Sequence, residues 1–275
     1  MPDVDRLEVL RDRLRELDRV VVAFSGGADS AFLAWVANDT LGPDRATAMT
    51  AVSPSLAPEE AADCAALAEE WGLRWVPVPT DELADPAYAA NDGDRCYHCK
   101  TELLAAASPL ADAAGATVIL GVNVDDLGDH RPGQRAASEQ GAQFPLVVAG
   151  FSKAMIRQAS RQLGLRTWDK PAAACLASRI PYGTEVSLGL LSQVDRAEAA
   201  LRRLGLNELR VRHYGDTARL EVPVDSFDVV LAVRGDLIAA VKSCGYRYVT
   251  LDLEGFRSGN LNDGHVLSPS KGEQR

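Results

Sequence analysis

The stretch VVVAFSGGADS, Val20 to Ser30, decides the fold. Its five apolar residues, Val20 to Phe24, predict a buried parallel strand. A short turn with two glycines follows, and the next residues, from about Asp29 to Asp39, have a helical pattern. A strand that passes through a glycine turn directly into a helix is typical of proteins built on a parallel sheet.

The turn SGGADS, Ser25 to Ser30, has the composition of a phosphate-binding loop. Gly26 and Gly27 allow the backbone N–H groups to approach an anion, and the helix N-terminus adds partial positive charge. Ser25 and Ser30 can donate hydroxyl hydrogen bonds, and Asp29 can reach a Mg²⁺ ion that screens phosphates. The loop lacks the lysine of the GxxxxGK[ST] pattern and does not match GxGxxG. The alternative is a glycine turn that binds no ligand.

Strand and helix patterns alternate through the first half of the chain. Further strands are predicted over Ala46–Val52, Leu73–Val78 and Ala116–Gly121, and helices over Pro58–Trp71 and Arg95–Ala114. This order indicates the α/β class, with a parallel sheet and helices on both faces.

After residue 168 the pattern changes to that of a smaller α+β unit. It predicts a long helix from its N-cap Ser187 to Leu204, strands within Glu208–Gly215 and Thr217–Val224, a helix over Phe227–Cys244 broken near Arg234, and a strand within Tyr246–Leu253. We therefore predict two domains, over 1–168 and over 169–262, and a disordered tail over 263–275.

Composition excludes several classes of protein. The 275 residues are 47% hydrophobic, enough for a buried core, and carry a net charge of −10, which argues against a nucleic-acid-binding surface. The first residues have no apolar run behind a basic end, and no stretch approaches the roughly 18 apolar residues of a membrane span. Five cysteines, an odd number, do not indicate a disulfide framework, so we expect a cytoplasmic protein.

A second polar segment, GVNVDD, follows the predicted strand Ala116–Gly121. Carboxyl ends of parallel strands meet at one edge of the sheet, so Gly121, Asp125 and Asp126 are expected near the phosphate loop. The aspartates could hold Mg²⁺ or orient a ribose, and helix capping is the alternative. Arg131 and Arg135 follow near the same edge. SGGADS itself resembles the SGGxDS signature of the PP-loop ATP pyrophosphatases, which implies adenylation of a substrate.

The segment RCYHCK places Cys96 and Cys99 three residues apart. Such a pair can be a redox pair, half of a zinc site or two ligands of an iron–sulfur cluster. Cys175 lies in DKPAAACLASRIPYG near Lys170 and Arg179, an electropositive setting for a thiol. Cys64 and Cys244 fall in amphipathic helices and are predicted to pack in the core.

Four segments together resemble the LarE family of sulfur-inserting enzymes of nickel-pincer nucleotide biosynthesis. They are DKPAAACLASRIPYG, GVNVDDLGDHRPG, LRVRHYGDTARLEV and LDLEGFRSGN, and the resemblance runs from about residue 18 to 262. It implies that the domain over 1–168 binds ATP and activates a carboxylate of pyridinium-3,5-biscarboxylic acid mononucleotide. It also implies that the domain over 169–262 binds the substrate and transfers sulfur, with a thiol at the Cys175 position that attacks the activated carboxylate or delivers sulfur. It also implies a homo-oligomer, a hexamer built as a dimer of trimers.

The resemblance leaves two sulfur sources open. In some members Cys96, Cys99 and Cys175 would bind a [4Fe-4S] cluster that has one iron without a protein ligand. In others the cysteine at position 175 gives up its own sulfur and becomes dehydroalanine. The three cysteines of this chain match the cluster-binding pattern, so we expect ATP, Mg²⁺ and a [4Fe-4S] cluster.

The second domain supplies the predicted substrate-binding residues. Alternation places Arg210 and Arg212 on one face of a strand, where their guanidinium groups could bind phosphate or carboxylate. The resemblance implies such roles for Arg179, Glu198, Arg210, Arg212 and Arg219, and Glu198 and Glu221 are tentative ligands of a second metal. A solvated strand face is the alternative.

Three other functions fit the phosphate loop. A tRNA thiolase would need a nucleic-acid surface, against which the acidic charge argues. A nitrogen-using ligase like NAD or GMP synthetase would not need Cys96, Cys99 and Cys175. A non-catalytic nucleotide sensor would bind ATP without turnover.

Overall fold

The computed structural model describes residues 6–127, 132–171 and 174–256. These residues form two compact units, described separately below. The first contains 6–88, 94–127 and 132–171, and the second contains 89–93 and 174–256. The predicted tail and Arg131 lie outside the described ranges. Among the described residues, no helix is both long enough and apolar enough to span a membrane.

A four-stranded parallel sheet forms the centre of the first unit, in the order β3-β2-β1-β4. The strands are β1 (Val20–Ala23), β2 (Ala46–Val52), β3 (Arg74–Pro79) and β4 (Thr117–Leu120). Val20 of β1 pairs with Ala46 on one side and with Thr117 on the other. Strand β1 is buried on both faces, which is why it reads as a continuous apolar run. The predicted α/β fold with a parallel sheet is confirmed.

Helices cover both faces of this sheet. Along the chain they are α1 (Arg6–Leu17), α2 (Ala28–Leu41), α3 (Pro58–Trp71), α4 (Pro86–Ala89), α5 (Arg95–Ala114), α6 (Pro132–Glu139), α7 (Pro145–Val148) and α8 (Lys153–Gln162). On one face, Val20 and Val22 pack with Phe32 and Leu33 of α2. On the other, Val21 packs with Ala107 of α5. Alternate side chains of one strand therefore support opposite layers.

The strand order creates a switch point between β1 and β4. The chain runs from β1 outward to β2 and β3 and then returns to place β4 on the other side of β1. The segments that leave the carboxyl ends of β1 and β4 consequently diverge, and ligands of open α/β sheets bind in the crevice formed there. Ser25–Ser30 and Gly121–Asp126 are these two segments.

The second unit contains a three-stranded sheet, in the order β5-β6-β7. Its elements are α9 (Leu188–Arg203), β5 (Arg210–Tyr214), β6 (Thr217–Glu221), α10 (Phe227–Ala232), α11 (Arg234–Ser243) and β7 (Tyr248–Leu251). Strands β5 and β6 form an antiparallel hairpin, and β7 pairs with β6 in parallel. The Ser187 hydroxyl accepts a hydrogen bond from the backbone N–H of Leu190, as predicted for an N-cap. The break expected near Arg234 separates α10 from α11.

A short segment from earlier in the chain, 89–93, belongs to this second unit. The amide of Asn91, fully buried, donates to the backbone oxygens of Ile180, Pro181 and Thr184, at 3.3, 2.8 and 2.8 Å. The backbone N–H of Gly183 donates in turn to the oxygen of Asn91. This one side chain therefore fixes the loop that follows Arg179.

Candidate active site

The phosphate loop has the backbone geometry that its glycines predict. Gly26 has φ +68°, a left-handed conformation, and Gly27 is extended as the N-cap of α2. Gly27 has no side chain with which to cap this helix end, so the N–H groups of the first turn are suited to donate to a bound anion. The Ser25 and Ser30 hydroxyl oxygens lie 3.0 Å apart, and the Ser25 N–H donates to the Ser30 hydroxyl. Hydrogen bonds between Ser25 and Ser30 thus join the two ends of the loop, and the backbone N–H groups of the loop and helix start are suited to bind an anion.

Two side chains lie against Gly26. A Cβ atom built on Gly26 would be 2.9 Å from Cys64 Sγ and 3.7 Å from Lys170 Nζ. Burial raises the pKa of the Cys64 thiol to about 11. Cys64 is therefore a neutral thiol that packs in the core. Cys64 and Cys244 are both buried, which confirms that they belong to the core.

Lys170 brings an ammonium group next to a loop that has no lysine of its own. Its Nζ lies 2.8 Å from Glu60 Oε2 and 2.7 Å from Asp63 Oδ2. Burial acts to lower the pKa of Lys170, but hydrogen bonds to Asp63 and Glu60 outweigh it and leave the pKa raised. Lys170 is therefore a fixed cation. Sequence reasoning considered it only as a neighbour of Cys175, because both partners lie more than a hundred residues earlier.

The segment after β4 meets the start of α2 at close range. A Cβ atom on Gly121 would be 2.9 Å from the backbone nitrogen of Ser30, so only glycine permits this approach. Two residues on, the Asn123 amide donates to Asp29 Oδ2 at 3.1 Å. The predicted residues of the phosphate loop and Gly121 are therefore brought together at the switch point.

Asp29 has the environment of a cation ligand. Burial raises its pKa, the nearby charge of Asp126 raises it further, and Lys153 and Asn123 act in the opposite direction. A divalent cation would relieve the cost of the buried negative charge, so the Asp29 carboxylate fits the role of a Mg²⁺ ligand. The described residues offer Mg²⁺ no group of three or more His, Cys, Asp and Glu side chains, and phosphate oxygens would have to complete its coordination.

The two predicted aspartates of this segment are engaged by the start of α8. Asp125 Oδ2 accepts the backbone N–H of Lys153 at 2.8 Å. Asp126 lies 3.0 Å from Lys153 Nζ, and its other carboxylate oxygen accepts the Asn123 N–H. Asp125 therefore has the helix-capping role that the sequence offered as the alternative. Asp126 shapes the electrostatics around Asp29.

Cys96 and Cys99 lie within the first five residues of α5, in the first unit. Cys96 is exposed and Cys99 is partly buried, and their spacing places them on one side of the helix. His98 is held between two aspartates, with Nδ1 3.0 Å from Asp85 and Nε2 3.5 Å from Asp94. Within the described residues no third His, Cys, Asp or Glu completes a metal group around this pair. Cys175 belongs to the second unit, so the three-cysteine site stays a prediction.

Cys175 begins a short 3-10 helix, Leu176–Arg179, and its side chain is exposed. Arg179 Nη1 donates to the backbone oxygen of Ala174 at 2.6 Å and to that of Cys175 at 3.2 Å. Its remaining nitrogens form a bidentate pair with Glu198, at 2.9 and 3.2 Å. The guanidinium group therefore connects the cysteine loop to α9.

The predicted substrate-binding arginines lie in a buried charge network. Arg210 and Arg212 are 5% and 2% exposed, and Arg219 is partly exposed. Glu221 pairs with Arg212 at 2.9 Å and with Arg219 at 3.2 Å. The alternative of a solvated strand face is wrong for Arg210 and Arg212, because both side chains are buried inside the unit. Burial lowers the pKa of Arg210 to about 10, and the nearby charges of Arg212 and Arg179 add to the effect.

The tentative second metal site finds no support in this arrangement. Glu198 is fully buried and accepts from Arg179, Arg202 and the backbone N–H of Val211. Glu221 is also fully buried and faces two guanidinium groups. Both carboxylates are thus neutralised by arginine, where the sequence suggested a metal.

Comparison with known proteins places these features in a family. A family described as NAD synthase matches residues 5–102. The pyridinium-3,5-bisthiocarboxylic acid mononucleotide synthase of Lactiplantibacillus plantarum is 39% identical over 251 residues, which cover 91% of each protein. The chain belongs to the LarE family.

Two further relatives are similar to this LarE-family chain over a comparable share of its length. An uncharacterized protein of Synechocystis is 49% identical over 263 residues, 94% of this chain and 97% of the relative. An uncharacterized protein of Methanocaldococcus jannaschii is 24% identical over 92% of this chain and 98% of its own length. The similarity to these relatives therefore includes both units, whereas the NAD synthase match lies almost entirely within the first.

Proposed function

We propose that this LarE-family chain is an ATP-dependent sulfur transferase acting on pyridinium-3,5-biscarboxylic acid mononucleotide. In the proposed reaction a substrate carboxylate oxygen attacks the α-phosphorus of ATP and pyrophosphate leaves. A sulfur nucleophile then attacks the acyl carbon, AMP leaves, and a thiocarboxylate remains. The observation that carries the proposal is the phosphate loop at the switch point, with Gly121 packed against its helix. The name of the L. plantarum relative supports the choice of substrate.

The first unit provides the groups for adenylation. The N–H groups at the start of α2 and the hydroxyls of Ser25 and Ser30 bind the phosphates of ATP. Asp29 would hold Mg²⁺, which when bound neutralises charge on the phosphates. Lys170 adds a positive charge beside Gly26. These donors and cations stabilise the negatively charged transition state at the α-phosphorus more than they stabilise the bound ATP.

The second unit provides an anion site for the mononucleotide. Arg210, Arg212 and Arg219 would bind its phosphate or second carboxylate, and the lowered pKa of Arg210 supports this role. Positive charge held in a buried site is costly, so an anion that enters stabilises it. The network is also prearranged by Glu221, which reduces the ordering needed on binding.

The cysteines provide the route for sulfur. Cys96, Cys99 and Cys175 would hold a [4Fe-4S] cluster by three of its four irons. When bound, such a cluster supplies the sulfur through the fourth iron, which has no protein ligand. The exposed thiols of Cys96 and Cys175 suit such a role, and the reducing cytosol keeps them as thiols. The second candidate is the sacrificial route, and the exposure of Cys175 on a fixed loop favours it equally.

One experiment separates these possibilities. The protein is purified without oxygen, its iron and sulfide are measured, and AMP and thiocarboxylate are followed with ATP, the mononucleotide and added sulfide as the source of sulfur. We expect multiple turnovers that require Cys96, Cys99 and Cys175, whereas Cys244→Ala, which alters a buried cysteine, serves as the control. A single turnover with dehydroalanine at position 175 would support the sacrificial route. AMP formation without any thiocarboxylate, in the presence of all three cysteines and sulfide, would contradict sulfur transfer altogether.

A further inference from the structure

The guanidinium group of Arg179 has few donors left for a substrate. Nη1 is engaged by the backbone oxygens of Ala174 and Cys175 and by the Ser178 hydroxyl. Nε and one N–H of Nη2 are engaged by the two oxygens of Glu198. A guanidinium carries five N–H donors, so a forked grip on a phosphate would require it to release the loop or the carboxylate.

Glu198 makes a rigid anchor for Arg179. Its carboxylate is buried, and it also accepts from the Val211 N–H of β5 at 3.0 Å and from Arg202 of α9 at 3.1 Å. The anchor is therefore fixed to a helix and a strand at once. A buried carboxylate that accepts several hydrogen bonds cannot rotate freely. Glu198 therefore holds Arg179, and through Arg179 the cysteine loop, in one position relative to the core.

The loop itself is fixed on both sides of Cys175 while the sulfur is left exposed. The Cys175 backbone oxygen also accepts the Ser178 N–H at 2.9 Å. Beyond it, Arg212 donates to the Ser178 oxygen at 2.7 Å. A held backbone with an exposed thiol is what a sulfur-delivering or cluster-binding residue needs, since small displacements of a reacting group are costly to rate.

We propose that Arg179 is a positioning residue for Cys175 and is not a ligand of the substrate, an inference that rests on the proposed sulfur transfer. In this role Arg179 acts on the step that uses the Cys175 sulfur and leaves the binding of ATP and mononucleotide unchanged. The arginines of the second unit then have two separate roles. Arg179 positions the thiol, whereas Arg210, Arg212 and Arg219 bind the anion.

The test compares Arg179→Lys, which retains the charge but loses the fork, with wild type. We expect ATP–pyrophosphate exchange and the Kd of the mononucleotide to stay at wild-type values, while kcat for thiocarboxylate falls about 100-fold. Hydrogen exchange of the peptide 174–180 should become faster. The matched control is Arg196→Gln, which removes an exposed guanidinium of α9 that donates to the Ser192 hydroxyl, and it should change neither the peptide's exchange nor kcat.

A raised Kd for the mononucleotide with unchanged kcat would make Arg179 a substrate ligand and overturn the inference. Unchanged hydrogen exchange over 174–180 would overturn it whatever the activity, because that readout does not depend on the reaction. If wild type forms no thiocarboxylate, the proposed function fails, and the exchange measurement still decides whether Arg179 fixes the loop. If Arg179→Lys does not fold, the double variant Arg179→Gln with Glu198→Gln keeps the buried pair neutral and is measured in the same way.

Discussion

Gly121 lies so close to Ser30 that a Cβ atom on Gly121 would be 2.9 Å from the Ser30 backbone nitrogen. Gly121 follows β4, and Ser30 is in the first turn of α2, which follows β1. The contact therefore joins the two segments that leave adjacent strands at the switch point. The same approach brings Asn123 within hydrogen-bond distance of Asp29. The absence of a side chain at Gly121 thus permits the close contact that holds the helix end proposed to bind phosphate.

Replacing Gly121 with alanine should displace the start of α2. An added methyl group at a site this tight typically costs about 1 to 3 kcal/mol of unfolding free energy. We expect a lower urea midpoint and a higher Kd for ATP, measured by calorimetry. Gly235→Ala is the control, because nothing lies within 4 Å of the position of its Cβ atom. Unchanged ATP affinity in Gly121→Ala would mean that the helix start does not hold the phosphates.

Gly26→Ala tests the contact between the phosphate loop and Cys64 of α3. Alanine at φ +68° costs about 1 to 2 kcal/mol in backbone strain, and its methyl group would also meet Cys64 Sγ. We therefore expect Gly26→Ala to weaken both the fold and ATP binding. Adding Cys64→Ala should restore part of the loss, because it removes the clash and leaves the strain. A double-mutant cycle of unfolding free energies measures this coupling. Purely additive effects would show that the clash is relieved in another way.

Sequence periodicity predicted most of the fold because local rules decide it. The helices Pro58–Trp71 and Arg95–Ala114 have the predicted bounds, since proline or a polar turn begins each one and a left-handed glycine ends it. Strand β1 was predicted correctly because a strand buried on both faces must be apolar. These features depend on residues a few positions apart.

The parts that sequence reasoning missed depend on contacts between distant residues. Lys170 reaches the phosphate loop through Glu60 and Asp63 of α3, about which neighbouring residues carry no information. Arg212 alternates with its neighbours as a solvated strand residue would, yet Glu221 across the hairpin makes its burial possible. Charge partners of this kind decide whether an arginine binds a ligand or holds the fold.

Asn91 should be important for the second unit, although nothing in its surroundings in the sequence indicates this. Asn91→Ala would remove the side-chain donor from three backbone oxygens, of which that of Pro181 still accepts the Thr184 N–H, and φ is +58° at this position. Buried groups that lose a partner cost about 1 to 3 kcal/mol, so we expect a clear loss in unfolding free energy. Asn91→Gly, which tolerates the φ value, separates the two causes. If both variants are as stable as wild type, the amide does not hold the 180–184 loop.

Asp29→Asn should make the protein more stable at neutral pH and inactive. Burial, followed by the charge of Asp126, raises the pKa of Asp29 above its ordinary value of 3.8, so the folded protein holds the proton more tightly than the unfolded chain. The free energy of unfolding of wild type therefore falls as the pH rises above 3.8 and through the folded pKa, and it stays lowered at pH 7. Asparagine avoids this cost and still accepts the Asn123 hydrogen bond. Urea unfolding should give Asp29→Asn the higher midpoint at pH 7, and the difference should shrink toward pH 3.8.

The matched control for this variant is Asp44→Asn, because Asp44 is exposed. Its urea midpoint should follow wild type at every pH. With Mg²⁺ and ATP present the order should reverse, because a ligand that binds only the folded state stabilises the protein that binds it more tightly, and Asp29→Asn lacks the carboxylate that holds the metal. A midpoint for Asp29→Asn below that of wild type at pH 7 without ligand would contradict the electrostatic argument. Equal stabilisation of both proteins by Mg²⁺ and ATP would remove Asp29 from the metal site.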